Sequence, residues 1–211
     1  MSTFGLMQDR IADELDRTDL TSQIQKAIQT AIDRYERKRF YFNEARSITF
    51  NTADGQEFYT STDATDIPNL LMIDNVKLTI SGSDKIDLDP RQYSELEYLS
   101  NNATTDEGQP TAYAYYAKQL RLYPIPDAAY AVRISGVFSL ADLSATADTN
   151  AWMTDAEALI RSRAKRELMT HVIRDAEGAA AMAQAEMEEL QSLIQATNAR
   201  SSTGAILATE F

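Results

Sequence analysis

Hydrophobic residues recur with two different periods along this chain, and the change of period restricts the folds that it can adopt. In the stretch 20–44 they recur at steps of three and four, which places them on one stripe of a helix. From Ala45 they alternate with polar residues instead, as in a half-buried strand. A helical pattern returns from Asp155, and all five prolines lie between residues 68 and 126. The sequence therefore predicts an α+β fold with helical ends and a β-rich antiparallel insertion.

The change of period also predicts where the parts of the chain begin and end. We expect residues 1–44 and 141–199 to form a helical body that contains the N-terminal helices and a long C-terminal helix. Residues 45–140 are predicted to form the β-rich insertion. A Ser-Ser-Thr-Gly segment breaks the last helical pattern, so residues 200–211 are predicted to form an extended C-terminal arm.

Short motifs predict the ends of the helices. Thr18 or Asp19 is expected to cap the helix that begins at Leu20, because a short side-chain oxygen can accept the unpaired first-turn N–H groups. Thr154 and Glu157 have the spacing of a capping box at the start of the last helical part.

The turn motifs predict how the insertion is built. An Asp-Gly pair between alternating segments predicts a β-hairpin over residues 46–60, and residues 112–123 are predicted to form a second one. The Asp89-Pro90 pair predicts the start of a short helix, because proline is favoured in the first helical turn.

The long C-terminal helix carries many small and apolar residues, and we expect them on one inner face. Ala180, Met187 and Ile194 are among them. Arg174-Asp175 could be a break before this helix or only a polar spot in a continuous one.

The composition argues against an enzyme. The chain has no cysteine and a single histidine, His171, whereas most zinc sites and most general acid–base sites need more. We expect His171 to lie near the apolar side of a helix in a structural role. Phosphate-binding loops and hydrolase signatures are absent from the sequence. We therefore predict a protein without catalytic activity, metal or cofactor.

A group of acidic residues, Asp84, Asp87 and Asp89, could suggest a calcium site. The group lacks the alternating carboxylates and the central glycine of an EF-hand loop. A solvated strand end is the favoured interpretation.

The net charge of the chain is −12, and residues 45–150 contribute −8 of it. An acidic surface repels phosphate, so we expect no tight or specific binding of DNA, although DNA could still pass such a surface. The sequence contains no apolar run of the roughly 18 residues that a membrane-spanning helix needs. The first ten residues lack the pattern of a signal peptide.

Two groups of residues are candidates for contacts with other proteins. One is a basic cluster that is predicted to end the first long helix, where it could face DNA or an acidic partner, or could simply oppose the helix dipole. The other is an apolar group in the predicted arm, which could fray or could dock into a partner. The basic cluster comprises Arg34, Arg37, Lys38 and Arg39, and the apolar group comprises Ile206, Leu207 and Phe211.

Several short motifs occur in an order that resembles the head-to-tail adaptor (connector, or head-completion) proteins of tailed bacteriophages. The similarity extends over about residues 20–175. The motifs are Tyr35-Glu36, Arg39-Phe40, Phe42-Asn43-Glu44, Phe50, Gln56 and Tyr59, then Gly108-x-Pro110 with Tyr113, Leu122-Tyr123-Pro124-x-Pro126-Asp127 with Tyr130, and Asn150-x-Trp152.

This resemblance implies a structural protein of the virion at the head–tail junction, made in the cytoplasm of the bacterial host. Proteins of this kind form a ring, usually of twelve subunits, below the portal protein. The ring extends the DNA channel and provides the surface to which the tail or nozzle protein attaches. The resemblance also implies that the C-terminal arm reaches the portal, which gives Ile206, Leu207 and Phe211 the role of a portal-docking arm.

Two other functions remain open at this stage. A tail-completion or tail-tube protein would form a similar ring that caps a different partner. A cell-wall hydrolase would need a buried carboxylate with a raised pKa in a cleft.

Overall fold

The computed structural model describes residues 2–80, 85–100 and 106–201. Its architecture is α+β, as the sequence predicts. The α-helices of the described residues are α1 (Phe4–Leu15), α2 (Thr21–Glu36), α3 (Tyr93–Ser100), α4 (Ala151–Thr154), α5 (Glu157–Leu168) and α6 (Ala176–Ser201). The strands are β1 (Glu44–Asn51), β2 (Phe58–Tyr59), β3 (Leu70–Thr79), β4 (Lys85–Asp87), β5 (Asp89–Pro90), β6 (Ala112–Tyr116), β7 (Gln119–Tyr123) and β8 (Ala131–Phe138).

The chain divides into two compact units. Unit 1 comprises the described residues up to Asn43 and from Leu140 onward, and unit 2 comprises Glu44–Ser139. That these units are the separate domains predicted from the sequence stays a prediction.

In unit 1, α5 packs against α1, α2 and α6. The apolar stripe of α2 is the face that packs inward, as its spacing predicts. The buried residues of this stripe are Ile24, Ala27, Ile28, Ala31 and Tyr35.

Three aromatic side chains connect the two chain segments of unit 1. Phe40 and Trp152 are almost fully buried, and their ring centres lie 5.8 Å apart in an edge-to-face arrangement. Phe42 stacks on Phe40 at 5.3 Å and meets Trp152 edge-on at 5.0 Å. Asn43 holds the loop that carries them, because its side chain accepts a hydrogen bond from the Phe40 N–H and donates one to the Lys38 carbonyl, each 2.8 Å long.

The start of α2 differs from the prediction. Leu20 is the N-cap residue and makes no side-chain capping bond. Neither Thr18 nor Asp19 takes this position, and the Asp19 carboxylate instead accepts a hydrogen bond of 2.7 Å from Arg17 Nε. The end of α2 also comes earlier than the basic cluster suggests, because the helix stops at Glu36 and only Arg34 of the cluster lies in its last turn.

The predicted capping box at Thr154 is wrong. The Thr154 hydroxyl bonds to Asp155 Oδ2 at 2.7 Å, and Ala156 is the N-cap of α5 without a side-chain bond. The capping side chain in this region belongs to Asn150, whose Oδ1 accepts the Trp152 N–H at 2.9 Å.

The helix α6 is longer than predicted, and some of the residues expected on its inner face are exposed. It follows a left-handed residue, Arg174, so Arg174-Asp175 is a break and not only a polar spot. It continues to Ser201, so the first two residues of the predicted arm are helical, and residues 202–211 lie outside the described part of the chain. Met187 and Ile194 are 51% and 39% exposed, so these two residues lie outside the inner face on which they were expected.

Unit 2 contains two four-stranded sheets with the strand orders β1-β8-β3-β4 and β2-β7-β6-β5. All neighbouring strands in them are antiparallel except β5 and β6, which form a short parallel pair. The predicted hairpin at 112–123 is confirmed as β6 and β7. Its two turn residues, Ala117 and Lys118, both have positive φ, as two-residue hairpin turns require.

The predicted hairpin at 46–60 is wrong. The strand β1 pairs with β8, whereas β2 pairs with β7 in the other sheet. The Asp-Gly turn therefore sends the chain from one sheet to the next: β1 pairs with β8 through six residue pairs, and β2 pairs with β7 through two.

The Asp89-Pro90 pair begins a strand and not a helix. The N–H groups of Asp89 and Arg91 donate to the carbonyls of Thr111 and Tyr113, each at 2.9 Å. Pairing with β6 takes the place of the first helical turn, and α3 begins only at Tyr93.

A buried cation, Arg121, ties β7 to neighbouring elements of unit 2. Its guanidinium bonds to the carboxylates of Glu57 and Glu97 at 2.6 Å each and to the Ser100 hydroxyl at 2.7 Å. The side chain of Arg121 is 3% exposed. Because two carboxylates and a hydroxyl satisfy it, this arginine has a structural role in the fold.

We predict that Gly136 in the central strand β8 cannot be replaced by alanine without loss of stability. A Cβ atom there would lie 2.1 Å from the Met72 carbonyl oxygen, which β3 brings close through irregularities on both sides of Met72 and Ile73. Gly136→Ala should lower the free energy of unfolding by about 1–3 kcal/mol, measured by calorimetry. Gly108→Ala is the matched control, because the nearest atom to its Cβ would lie 3.9 Å away. Equal effects of the two substitutions would contradict the prediction.

Candidate functional site

The basic cluster predicted from the sequence lies on the surface of unit 1, at the end of α2. All four side chains are exposed. Arg34 lies in the last helical turn, Arg37 is the C-cap residue, and Lys38 and Arg39 follow it. The Lys38 ammonium lies 5.7 Å from the centre of the Tyr35 ring, a distance at which a cation is attracted to the ring face.

Beneath this cluster lies a buried carboxylate, Glu186 of α6, whose side chain is 6% exposed. Its Oε1 accepts a hydrogen bond from the Tyr35 hydroxyl of α2. Its Oε2 accepts one of 2.8 Å from Arg166 Nη1 of α5. Arg34 Nε and Arg163 Nη1 each approach the carboxylate to 3.9 Å. One carboxylate therefore joins three helices.

The surroundings of Glu186 keep it charged. Burial alone would raise its pKa, but the hydrogen bonds from Tyr35 and Arg166 and the charges of Arg163 and Arg166 outweigh burial, so the pKa of Glu186 lies below its usual range. Burial and the bond to Glu186 raise the pKa of Tyr35 to about 12. Tyr35 therefore remains a donor and Glu186 an acceptor throughout the neutral pH range.

A groove of about 520 Å³ opens beside this carboxylate between α2 and α6. Its rim carries cations and its floor is apolar. Met187 on the floor is half exposed. We name it the α2–α6 groove; its lining residues include Arg34, Lys38 and Arg166 on the rim and Ala183, Met187 and Leu190 on the floor.

The α2–α6 groove has the chemistry of a protein contact. An apolar floor bordered by cations is suited to an amphipathic segment that carries carboxylates beside its apolar residues. Of the four predicted cations, Arg34 and Lys38 line the groove, whereas Arg37 and Arg39 do not.

Sequence reasoning missed Arg166, Glu186 and Met187. The first two look like ordinary surface charges in a helical pattern, and only the packing of α5 against α6 brings them together. The signal that the sequence holds for Met187 is its spacing: Ala180, Met187 and Ile194 follow each other at steps of seven and form an apolar stripe, but spacing does not decide whether that stripe is buried.

The other sites considered in the sequence have ordinary surroundings. His171 is 65% exposed and its Nε2 lies 3.5 Å from Glu167, so its expected position near the apolar side of a helix is wrong. Asp87 pairs with Lys77 at 2.7 Å and with Asn75 at 2.6 Å, and the Lys77 bond lowers the pKa of Asp87.

Two kinds of site are absent from the part of the chain that the structure describes. Residues 2–80, 85–100 and 106–201 contain no group of three or more His, Asp or Glu side chains that could hold a metal ion. None of the helices in those ranges combines the length and the apolar character that crossing a membrane requires. Asp84 of the acidic group and the arm residues Ile206, Leu207 and Phe211 lie outside the described residues.

Comparison with known protein families identifies the chain. The model of the SU10 adaptor protein family matches residues 2–208. The chain belongs to this family. This confirms the sequence prediction of a tailed-phage head-to-tail adaptor, and the adaptor acts at the junction between phage head and tail. None of the curated protein sequences matches this adaptor significantly.

We predict that Glu186→Gln destabilises the adaptor by about 1–3 kcal/mol at neutral pH, because Arg166 and Tyr35 lose their charged acceptor. The folded-state pKa of Glu186 is lowered, so its contribution is complete above the unfolded value of about 4.3 and is lost as the pH falls through the folded value. The difference between the wild type and the variant should therefore shrink in acid. Urea unfolding at several pH values measures it.

The control for this prediction is Glu188→Gln, which changes an exposed glutamate in the interior of the same helix, away from the helix ends where charge affects the helix dipole. It should leave the unfolding free energy within about 0.5 kcal/mol of the wild type. A Glu186→Gln effect that stays constant down to pH 3 would contradict the assignment.

Proposed function

We propose that this adaptor forms a ring below the portal protein, with twelve subunits as the expected number. The ring extends the DNA channel and gives the tail or nozzle protein a surface for attachment. The observation that carries this proposal is the α2–α6 groove, an exposed surface with an apolar floor and a cationic rim in a chain whose net charge is −12. A surface of this kind is suited to protein assembly.

The charge of the chain supports a passage for DNA. Phosphate contacts supply most of the non-specific affinity for DNA, and a strongly acidic protein offers few of them. DNA can then move through the ring without being held by specific contacts. Filter binding at low salt should detect no retention of duplex DNA by the adaptor alone.

The role is structural and needs neither catalysis nor a cofactor. A cell-wall hydrolase would need a carboxylic acid that keeps its proton near neutral pH. The surroundings of Glu186 have the opposite effect, because they favour its charged form.

The C-terminal arm docks on the portal through Ile206, Leu207 and Phe211. The guanidinium of Arg200, near the end of α6, lies 3.6 Å from the centre of the Tyr41 ring, so a truncation should begin after this contact. We predict that deletion of residues 202–211 abolishes binding to the portal and leaves the fold intact. Co-purification with the portal and circular dichroism measure the two effects. Normal virion assembly with the truncated adaptor would contradict this role.

The basic cluster Arg34, Arg37, Lys38 and Arg39 faces a subunit or the portal in the assembly. We predict that Arg37→Glu with Lys38→Glu leaves the fold intact, because both side chains are exposed and neither contacts Glu186, and lowers the yield of assembled rings. Arg46→Glu with Lys85→Glu makes the same change of charge at exposed positions of unit 2 and should assemble normally. Electron microscopy of the co-expressed portal and adaptor counts the rings.

The same co-expression tests the function as a whole. A closed ring on the narrow end of the portal is the expected result. If the adaptor binds no portal but caps an isolated tail, the tail-completion alternative is correct and the proposed position is wrong.

A further inference from the structure

The helix α1 has two sides with different environments. Its inner side is tied to α5, since Glu14 bonds to Arg161 at 2.9 Å and to Lys165 at 2.6 Å. Its outer side carries Leu6, Asp9 and Asp13, at the spacing of one helix face.

This outer face, which we name the α1 face, is apolar at one end and acidic along the rest. Leu6 is 52% exposed. Asp9 and Asp13 are exposed, and neither forms an ion pair with a residue that the structure describes. An exposed leucine followed by two such carboxylates is complementary in charge and polarity to an apolar groove with a cationic rim.

The α2–α6 groove of the same unit has the complementary pattern. Its floor continues along α6 as an exposed apolar stripe from Ala180 to Ile194, a length of about 21 Å at 1.5 Å per residue. The 12 residues of α1 span about 18 Å by the same measure. Arg34 and Lys38 on the rim are exposed.

We propose that the α1 face of one adaptor copy docks in the α2–α6 groove of the next copy. Leu6 contacts Met187 on the groove floor, and Asp9 and Asp13 lie against the cationic rim. The apolar contact and the charges have separate effects: the burial of Leu6 favours the complex, whereas the exposed charge pairs mainly select partner and orientation.

The two surfaces are different parts of one unit, so the contact is heterologous. Each copy offers one α1 face and one groove, and a chain of such contacts closes into a ring when the rotation per copy permits it. This inference rests on the proposed ring and assigns the surfaces that form it.

The absence of cysteine from the chain allows a direct test. Leu6→Cys in one preparation and Met187→Cys in another place single thiols on the two surfaces. The two preparations are mixed, with and without the portal, and are treated with a short bismaleimide crosslinker. We expect about tenfold more heterodimer than from Leu6→Cys mixed with Tyr98→Cys, because docking raises the local concentration of the two thiols. Tyr98 is 70% exposed, so its thiol is equally accessible.

Charge exchange gives a second test that does not depend on crosslinking. Asp9→Lys with Asp13→Lys reverses the α1 face. Arg34→Gln with Lys38→Glu removes the two exposed cations of the rim and adds a carboxylate at position 38, without placing a second carboxylate beside Glu186. Each variant alone should self-associate about tenfold more weakly than the wild type in sedimentation experiments at low salt, and a mixture of the two should recover association. Asp54→Lys with Asp66→Lys, a matched change at exposed positions of unit 2, should have no effect.

The possible outcomes separate this inference from the proposed function. If rings form on the portal but the crosslink does not form, or if charge exchange has no effect, the α1 contact is wrong and the proposed adaptor ring is unaffected. The crosslink without portal binding would support the contact and overturn the position below the portal. If the portal protects the thiol at position 187 from the crosslinker, and this thiol is never crosslinked to the thiol at position 6, the groove binds the portal and the inference is wrong.

Discussion

The edge-to-face packing of Trp152 against Phe40 and Phe42 is the contact on which the rest of unit 1 depends. Unit 1 is assembled from two chain segments separated by almost a hundred residues of unit 2. Fixing two distant segments is entropically costly, so the contact that joins them must bury a large apolar area. Two of the three rings are almost completely buried, and Asn43 fixes the loop that carries Phe40 and Phe42 through its bonds to the Phe40 N–H and the Lys38 carbonyl.

The packing of the helices in unit 1 also brings together polar side chains that are distant in sequence. Once α2, α5 and α6 are packed together, Tyr35, Arg166 and Glu186 meet at one point. Each is satisfied only because the other helices are present, so the cluster selects one arrangement of the three helices. The same arrangement leaves Met187 outside the core and Arg34 on the rim. The groove is thus a product of the packing that stabilises the unit, and its exposed floor is available for assembly.

The sequence predicted the helices and most of the strands well, because period and turn chemistry are local properties. It failed where a local motif competed with distant partners. The Asp-Gly turn after β1 joins two sheets and closes no hairpin, because β8 and β7 lie more than 50 residues further along the chain and pair with β1 and β2. Asp89-Pro90 begins a strand for the same reason, since β6 satisfies the backbone groups there. Asp19 and Thr154 do not cap helices as expected. Their side chains form hydrogen bonds with neighbouring side chains instead, Asp19 with Arg17 and Thr154 with Asp155.

Periodicity and the order of short motifs were enough to identify an α+β chain of the phage adaptor family and to locate the basic cluster at the end of α2. These features are encoded by residues near each other in sequence, where spacing alone decides which side chains share a face. The groove could not be identified in this way. Glu186 is 151 residues from Tyr35 and 20 from Arg166. Whether Met187 is buried or exposed depends on which other helices α6 meets, and burial is a property of the packed structure.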